Sequence, residues 1–215
     1  MQSGDIHQVV RVLRKEVRKW PLPAIGHYVE TPCTVLISCI LSLRTQDRTT
    51  NAASERLFAI AETPQTMLAT PVAVIRKAIY PVSFYRVKSR TIHAICEELL
   101  SRFGGQVPSN LDELLTLPGV GRKTANIVVT LAFQKLGIAV DTHVHRISNR
   151  LGYVRTKTPE DTEIALRRKL PRRYWLIYND LLVAYGQNLC KPISPFCSKC
   201  KIAVFCKRVG VTTRR

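Results

Sequence analysis

The stretch Leu117-Pro-Gly-Val-Gly-Arg-Lys-Thr-Ala-Asn126 constrains this chain most. A short apolar run, Leu111-Asp-Glu-Leu-Leu-Thr-Leu117, leads into two glycines two residues apart. A basic, helix-favouring run, Arg122-Lys-Thr-Ala-Asn-Ile-Val-Val-Thr-Leu-Ala-Phe133, follows them. The pattern is helix, hairpin, helix. Gly119 and Gly121 allow positive φ and close backbone approach, and Pro118 presets the turn. A helix beginning near Arg122 leaves its first N–H groups pointing outward. Such a turn offers backbone donors and a positive dipole end to an anion, and a DNA phosphate fits it. Gly119, Val120, Gly121 and Arg122 are then the contact residues. Lys123 stands one residue into that helix, where the dipole disfavours a cation. It is either a phosphate contact or a reactive amine.

Charge points the same way. Lys and Arg number 33 against 15 Asp and Glu, a formal +18 with a pI near 10.1. An excess this large marks a nucleic-acid partner, with a merely solvated basic surface as the plainer alternative. Aromatic residues make up only 7%, so stacking along an extended single strand is not the obvious mode and duplex backbone binding fits better. No apolar run approaches the roughly 20 residues of a membrane span, and the first six residues contain no signal core. A cytoplasmic, nucleoid-associated monomer without a membrane partner is expected. At 215 residues the chain forms one or two domains with a real core. Seven cysteines, an odd number, argue against a disulfide framework.

Helical spacing dominates elsewhere. Val9, Val10, Leu13, Val17 and Trp20 recur at helical intervals with basic residues between them, and Pro21 and Pro23 stop that helix. Thr-Pro occurs at 31–32, 63–64, 70–71 and 158–159, each before a helix-like segment, with Thr as N-cap and Pro as first helical residue. Ser109-x-x-Asp112 is a similar signal before the hairpin. Residues 33–43 are rich in β-branched side chains but lack turn chemistry and predict a buried helix. An amphipathic helix over 87–103 ends at Gly104-Gly105, and another over 172–185 ends at Gly186. Ile138-Ala-Val140 is the only short extended run. The expected fold is all-α.

Cys190, Cys197, Cys200 and Cys206 follow a C-x6-C-x2-C-x5-C spacing. Four thiolates so close can share one metal centre. Zinc usually uses two close pairs, whereas cubane clusters take four Cys thiolates; the single pair here favours iron–sulfur and leaves zinc open. Lys191, Lys199, Lys201, Lys207 and Arg208 make the loop basic, so a structural centre that fixes a DNA-binding loop is expected, with Lys199 and Lys201 as contacts. Cys33, Cys39 and Cys96 lie on apolar faces as core residues.

The hairpin motif, then Val140-Asp-Thr-His-Val-His-Arg146, then the four-cysteine tail resemble, in this order, the endonuclease III family of helix-hairpin-helix DNA glycosylase/AP lyases. The resemblance runs from about residue 6 to residue 206. It implies a [4Fe–4S] cluster on the four cysteines and two helical domains. One is a six-helix barrel over 24–135 with the hairpin at 117–121; the other joins 1–23 to 136–215 with the cluster loop at 190–206. Damaged duplex DNA would lie across the groove between them, its nucleotide flipped inward.

The resemblance also implies Lys123 as catalytic lysine and Asp141 as catalytic aspartate. An amine that attacks the sugar C1′ displaces the base and forms a Schiff base, and β-elimination then nicks the strand. The helix terminus and Arg122 should both lower the pKa of Lys123. Asp141 precedes Thr142-His-Val-His-Arg146, so it is well placed as an N-cap, which would keep it anionic. That suits electrostatic stabilisation of a developing sugar cation. A helix over 122–133 rises roughly 18 Å, and eight further residues span up to about 26 Å, enough to return Asp141 to the end where Lys123 sits. His143 and His145, two apart in a helix, do not form a metal pair; they contact DNA or pack between domains.

Two departures bear on substrate. In Leu41-Ser-Leu-Arg-Thr-Gln-Asp47, Arg44 stands where the family usually has a glutamine that fills the gap left by the flipped base, and it is either a plug that pairs with the widowed base or simply an exposed arginine. Phe84, in Pro81-Val-Ser-Phe-Tyr85, aligns with a wedge that is commonly leucine, and is either an intercalating wedge or core. The leading expectation is excision of oxidised pyrimidines with AP-lyase nicking. The alternatives are a pocket retuned to mismatched thymine or uracil or to damaged purines, and a non-catalytic DNA-binding hairpin protein.

Overall fold

A computed structural model describes residues 4–20 and 31–215. These residues form eleven α-helices and short 3₁₀ turns, with no β-strand among them. The chain divides into two compact units, Ala24–Lys135 and Met1–Pro23 with Leu136–Arg215.

The discontinuous unit opens with α1 (Asp5–Glu16), whose buried residues Ile6, Val9, Val10 and Leu13 form a single stripe. Each such aliphatic side chain contributes about 1.5–3 kcal/mol when fully buried. A 3₁₀ turn, Val17–Lys19, continues α1; the stop expected at Pro21 and Pro23 lies outside the described residues.

The continuous unit runs α2 (Pro32–Ser42), α3 (Asp47–Phe58), α4 (Pro64–Ala69), α5 (Val72–Ile79), α6 (Tyr85–Phe103), α7 (Leu111–Leu114) and α8 (Arg122–Leu131). The β-branched run at 33–43 is the buried helix α2, with every residue from Cys33 to Leu41 buried. Burial pushes the Cys33, Cys39 and Cys96 thiols up to about 12, as core positions require. Thr31 and Thr63 cap their helices, each hydroxyl accepting an N–H at 3.2 Å, and Thr158 caps with a bond of 3.1 Å. The fourth Thr-Pro departs from expectation. Thr70 ends α4 and its hydroxyl donates to the Thr66 carbonyl at 2.8 Å, so Pro71 occupies the N-cap of α5 instead.

In the discontinuous unit, Ile138, Ala139 and Val140 are buried without becoming a strand, and Asn179 donates to the Ala139 carbonyl at 3.0 Å. The helices are α9 (Thr142–Arg150), α10 (Pro159–Lys169) and α11 (Trp175–Asn188), the last preceded by the 3₁₀ turn Arg172–Tyr174. Val144, Ile147, Leu166, Tyr178 and Leu182 form one core with the α1 stripe. Gly186 does not end α11 as the spacing suggests but lies inside it. A Cβ there would collide with the His143 ring and come within 2.9 Å of Arg146 Nη2. His143 and His145 thus serve packing inside this unit: His143 Nδ1 pairs with Arg146 Nη2 at 3.0 Å and His145 Nδ1 with Thr162 Oγ1 at 2.7 Å. Gly186→Ala should therefore lose about 1–3 kcal/mol to overpacking, although alanine is the better helix former. Urea unfolding of the two proteins measures it; an equal or higher midpoint in the variant would show that α9 and α11 are not held this close.

Candidate active site

The hairpin is built on buried anchors. Asn110, rather than Ser109, caps the single turn α7, its Oδ1 accepting the Asp112 N–H at 2.9 Å. Ser109 instead accepts from Lys135 Nζ at 2.6 Å. Leu117 and Val120 are buried, and the Val120 N–H donates to the Leu117 carbonyl at 3.2 Å. Gly119 adopts φ +73, and a Cβ there would stand 2.9 Å from Thr91 Cγ2 of α6. That position needs glycine on two counts. Gly121 does not have the expected positive φ: at φ −94, ψ 173 it is an ordinary extended N-cap. Nothing lies within 4 Å of where its Cβ would be, so the start of α8 is open to an approaching backbone. With its side chain buried, Val120 can offer only backbone to a partner.

Arg122 and Lys123, both half-buried, begin α8, whose Thr124, Ala125, Asn126, Ile127 and Val128 are buried. Lys123 is near enough to α2 that its charge acts on the Cys39 thiol, partly offsetting the upward effect of burial. In the other unit Asp141 caps α9, its Oδ1 accepting the N–H groups of His143 and Val144 at 2.9 and 2.8 Å.

Arg44 and Phe84 lie together in the continuous unit. Both have positive φ, 55 and 59, unfavourable for side chains of this size. Arg44 Cζ stands 5.9 Å from the Phe84 ring centre. Phe84 is 59% exposed, which removes the core alternative.

The four tail cysteines, all half-buried, line one cavity together with Arg150. Arg150 Nη1 donates to Cys190 Sγ at 3.4 Å, Tyr185 Oη to Cys200 Sγ at 3.3 Å and the Arg208 N–H to Cys206 Sγ at 3.4 Å. Donors to sulfur are the outer support that a thiolate-bound cluster uses. Among the described residues no three His, Cys, Asp or Glu side chains are placed to hold a single metal ion. Burial raises the Cys200 and Cys206 thiols, so metal binding would have to drive off their protons. Lys199 and Lys201, on either side of Cys200 in sequence, are exposed.

Residues 37–172 match the family model described as HhH-GPD superfamily base excision DNA repair protein. Endonuclease III of Thermotoga maritima is 44% identical over 93% of this chain and 92% of its own length. The chain belongs to the endonuclease III family. Endonuclease III of Bacillus subtilis is 37% identical over 82% of this chain and 81% of its own. A solved non-covalent endonuclease III–DNA complex superposes with a TM-score of 0.87 at 33% identity, covering 97% of this chain and 96% of that one. A thermostable thymine-DNA glycosylase, TM-score 0.82 but 24% identical, shares the fold.

Against that family background, two residues stand out that spacing alone had not singled out. Arg150 is one, a buried cation that also donates to the carbonyls of Lys191 and Pro192 at 2.7 and 2.6 Å. Lys88 is the other. It is 6% exposed, and its Nζ donates to the carbonyls of Leu41 and Leu43 at 2.8 and 2.6 Å and to Thr45 Oγ1 at 3.2 Å. Thr45 Oγ1 also accepts the Ser83 N–H at 3.2 Å, so the turns that carry Arg44 and Phe84 are tied to each other and to α6. A signal existed: Lys88 shares a helical stripe with the buried Ile92, Ile95 and Leu99.

Burial pulls the Lys88 ammonium from 10.5 down to about 8. The folded protein therefore releases this proton at lower pH than the unfolded chain. Below pH 8 the charged form makes the contribution of Lys88 to stability smallest, and that contribution improves as pH rises from about 8 towards 10.5, where only the unfolded chain still holds the proton. Lys88→Met should remove that gain. Subtracting the variant's change in unfolding free energy from the wild type's, between about pH 7.5 and about pH 9.5, should leave a positive remainder; a zero or negative one contradicts a buried ammonium.

Proposed function

We infer that this protein is a base-excision repair DNA glycosylase with AP-lyase activity, and we propose that it acts on oxidised pyrimidines in duplex DNA. The observation that carries the lyase step is Lys123, an amine at the second position of a helix that follows a glycine hairpin open to a DNA backbone. Its Nζ attacks C1′ of the damaged nucleotide and the base leaves with the C1′–N bond electrons. Opening of the sugar ring gives the Schiff base, and removal of a C2′ proton expels the 3′ phosphate. A water nucleophile could not form that imine. Asp141, held by two backbone N–H groups on Oδ1, supplies a fixed negative charge as the sugar becomes cationic. Gly119, Gly121 and Arg122 take the backbone phosphate. Arg44 and Phe84 fill the space of the extruded base, Arg44 with donors for the widowed base and Phe84 as an apolar wedge. Their backbone strain, which Lys88 opposes, keeps both side chains presented before DNA arrives.

Cys190, Cys197, Cys200 and Cys206 would hold a [4Fe–4S] cluster, which would cross-link the loop and so fix Lys199 and Lys201 for DNA contact. The donors on three of the sulfurs support that assignment.

Borohydride added to wild type with duplex containing thymine glycol should trap a covalent complex, and Lys123→Ala should trap none; an undiminished adduct in the variant refutes the nucleophile. Asp141→Asn separates cap from charge, because asparagine caps about as well as aspartate. Its melting temperature should stay close to wild type while excision slows about 10²–10³-fold. Cys197→Ser should lose bound iron, folding yield and DNA affinity together; a soluble, iron-free variant with wild-type affinity overturns the structural role of the loop.

A further inference from the structure

The side of α1 away from its buried stripe is cationic. Arg11, Arg14 and Lys15 of α1 and Arg18 of the following turn are spaced i, i+3, i+4 and i+7, and all four lie off the buried stripe. With Arg173, from the turn before α11, they line a cavity of about 570 Å³ that has no carboxylate in its wall. Among the described residues none of these five cations has an acidic partner, and the nearby Glu16 is taken by Lys19 at 2.8 Å. Like charges at i+3 and i+4 destabilise a helix by a few tenths of a kcal/mol per pair. Arg14 and Lys15 suit the C-terminal end of α1, but the repulsion within the stripe is relieved when an anion lies over it.

One wall is built in advance. His7 Nδ1 lies 2.9 Å from Tyr174 Oη and takes an N–H of Arg173 Nη2 at 2.9 Å. Arg173 Cζ also stands 5.1 Å from the Tyr174 ring centre. The guanidinium is thereby held beside the stripe rather than free in solvent. From Arg11 to Arg18 a helix rises roughly 10.5 Å, the axial length of about three phosphates on one DNA strand. A single phosphate would leave most of these charges uncompensated, whereas a linear run of phosphates meets all of them.

We propose that this groove is a further nucleic-acid backbone site, taking phosphates outside the lesion-binding hairpin. They come either from the duplex that carries the lesion or from a second duplex. The site contributes affinity and salt dependence without touching the reacting sugar, so it stands or falls apart from the catalytic assignment.

The test uses the full chain with Arg11→Gln, Arg14→Gln and Arg18→Gln combined. On a long undamaged duplex the dependence of log affinity on log salt should flatten by about 2–3, near 0.9 for each phosphate that is no longer neutralised. Nicking of an abasic site in a short duplex at saturating enzyme should be unchanged. A control that removes three other cations of the same unit, Arg155→Gln, Lys157→Gln and Arg168→Gln, should keep the wild-type slope. Long arms in cis and a separate undamaged duplex in trans distinguish the two DNA sources, and an effect of the substitutions in either arm supports the site. A triple variant with the wild-type slope, or a control that flattens equally, overturns it. So does stoichiometric binding of inorganic tripolyphosphate to the stripe with no change in DNA affinity, which would make the ligand a small polyanion.

Discussion

The left-handed backbone at Gly119, pressed against Thr91 of α6, decides how α8 leaves the hairpin. Leu117 and Val120 sit in the core on either side of that bend, so the turn is anchored by burial as well as by its own hydrogen bond. The buried face of α8 follows from that anchoring, and with it the half-buried position of Lys123 on its first turn. A side chain at 119 would carry the strain of a positive φ and displace Thr91 or the hairpin. The placement of Lys123, the proposed nucleophile, therefore rests in part on a glycine that does no chemistry.

The same unit stores strain nearby. Two bulky residues, Arg44 and Phe84, hold left-handed backbone conformations at about 1–2 kcal/mol each. Lys88 opposes that cost with hydrogen bonds to Leu41, Leu43 and Thr45, though burying its ammonium is itself unfavourable. Thr45 Oγ1, which accepts from both the Ser83 N–H and the Lys88 ammonium, ties the turns that carry the two side chains to each other.

In the discontinuous unit α9 is the common support. Asp141 caps its start, Arg146 donates to the Cys190 carbonyl from its middle at 2.8 Å, and Arg150 at its end grips the residues after Cys190. Gly186 lets α11 lie close against the same helix. The cysteine loop is thus bonded to the element whose first turn is capped by the proposed catalytic carboxylate. A cluster there would stabilise more than its own loop, which gives a structural centre a physical link to the chemistry.

Much of this was present in the linear sequence. The helices, three of the four Thr-Pro caps, the hairpin, the Asp141 cap and the four cysteines all follow from local spacing, because capping and amphipathicity depend on neighbours within a turn or two. Departures arose where a local signal met a remote constraint. Thr70 was drawn into the end of α4, Gly121 needed no special backbone, and Gly186 was kept small by α9 rather than by a helix end. Lys88 and Arg150 carried no chemical motif, since a basic residue in an amphipathic helix reads as solvent-facing until its partners, more than 40 positions away, are brought alongside. Residue types and spacing determined which elements form and which groups can react. Only tertiary packing decided which cations are buried and which backbones are strained, because those depend on faces that meet across the fold.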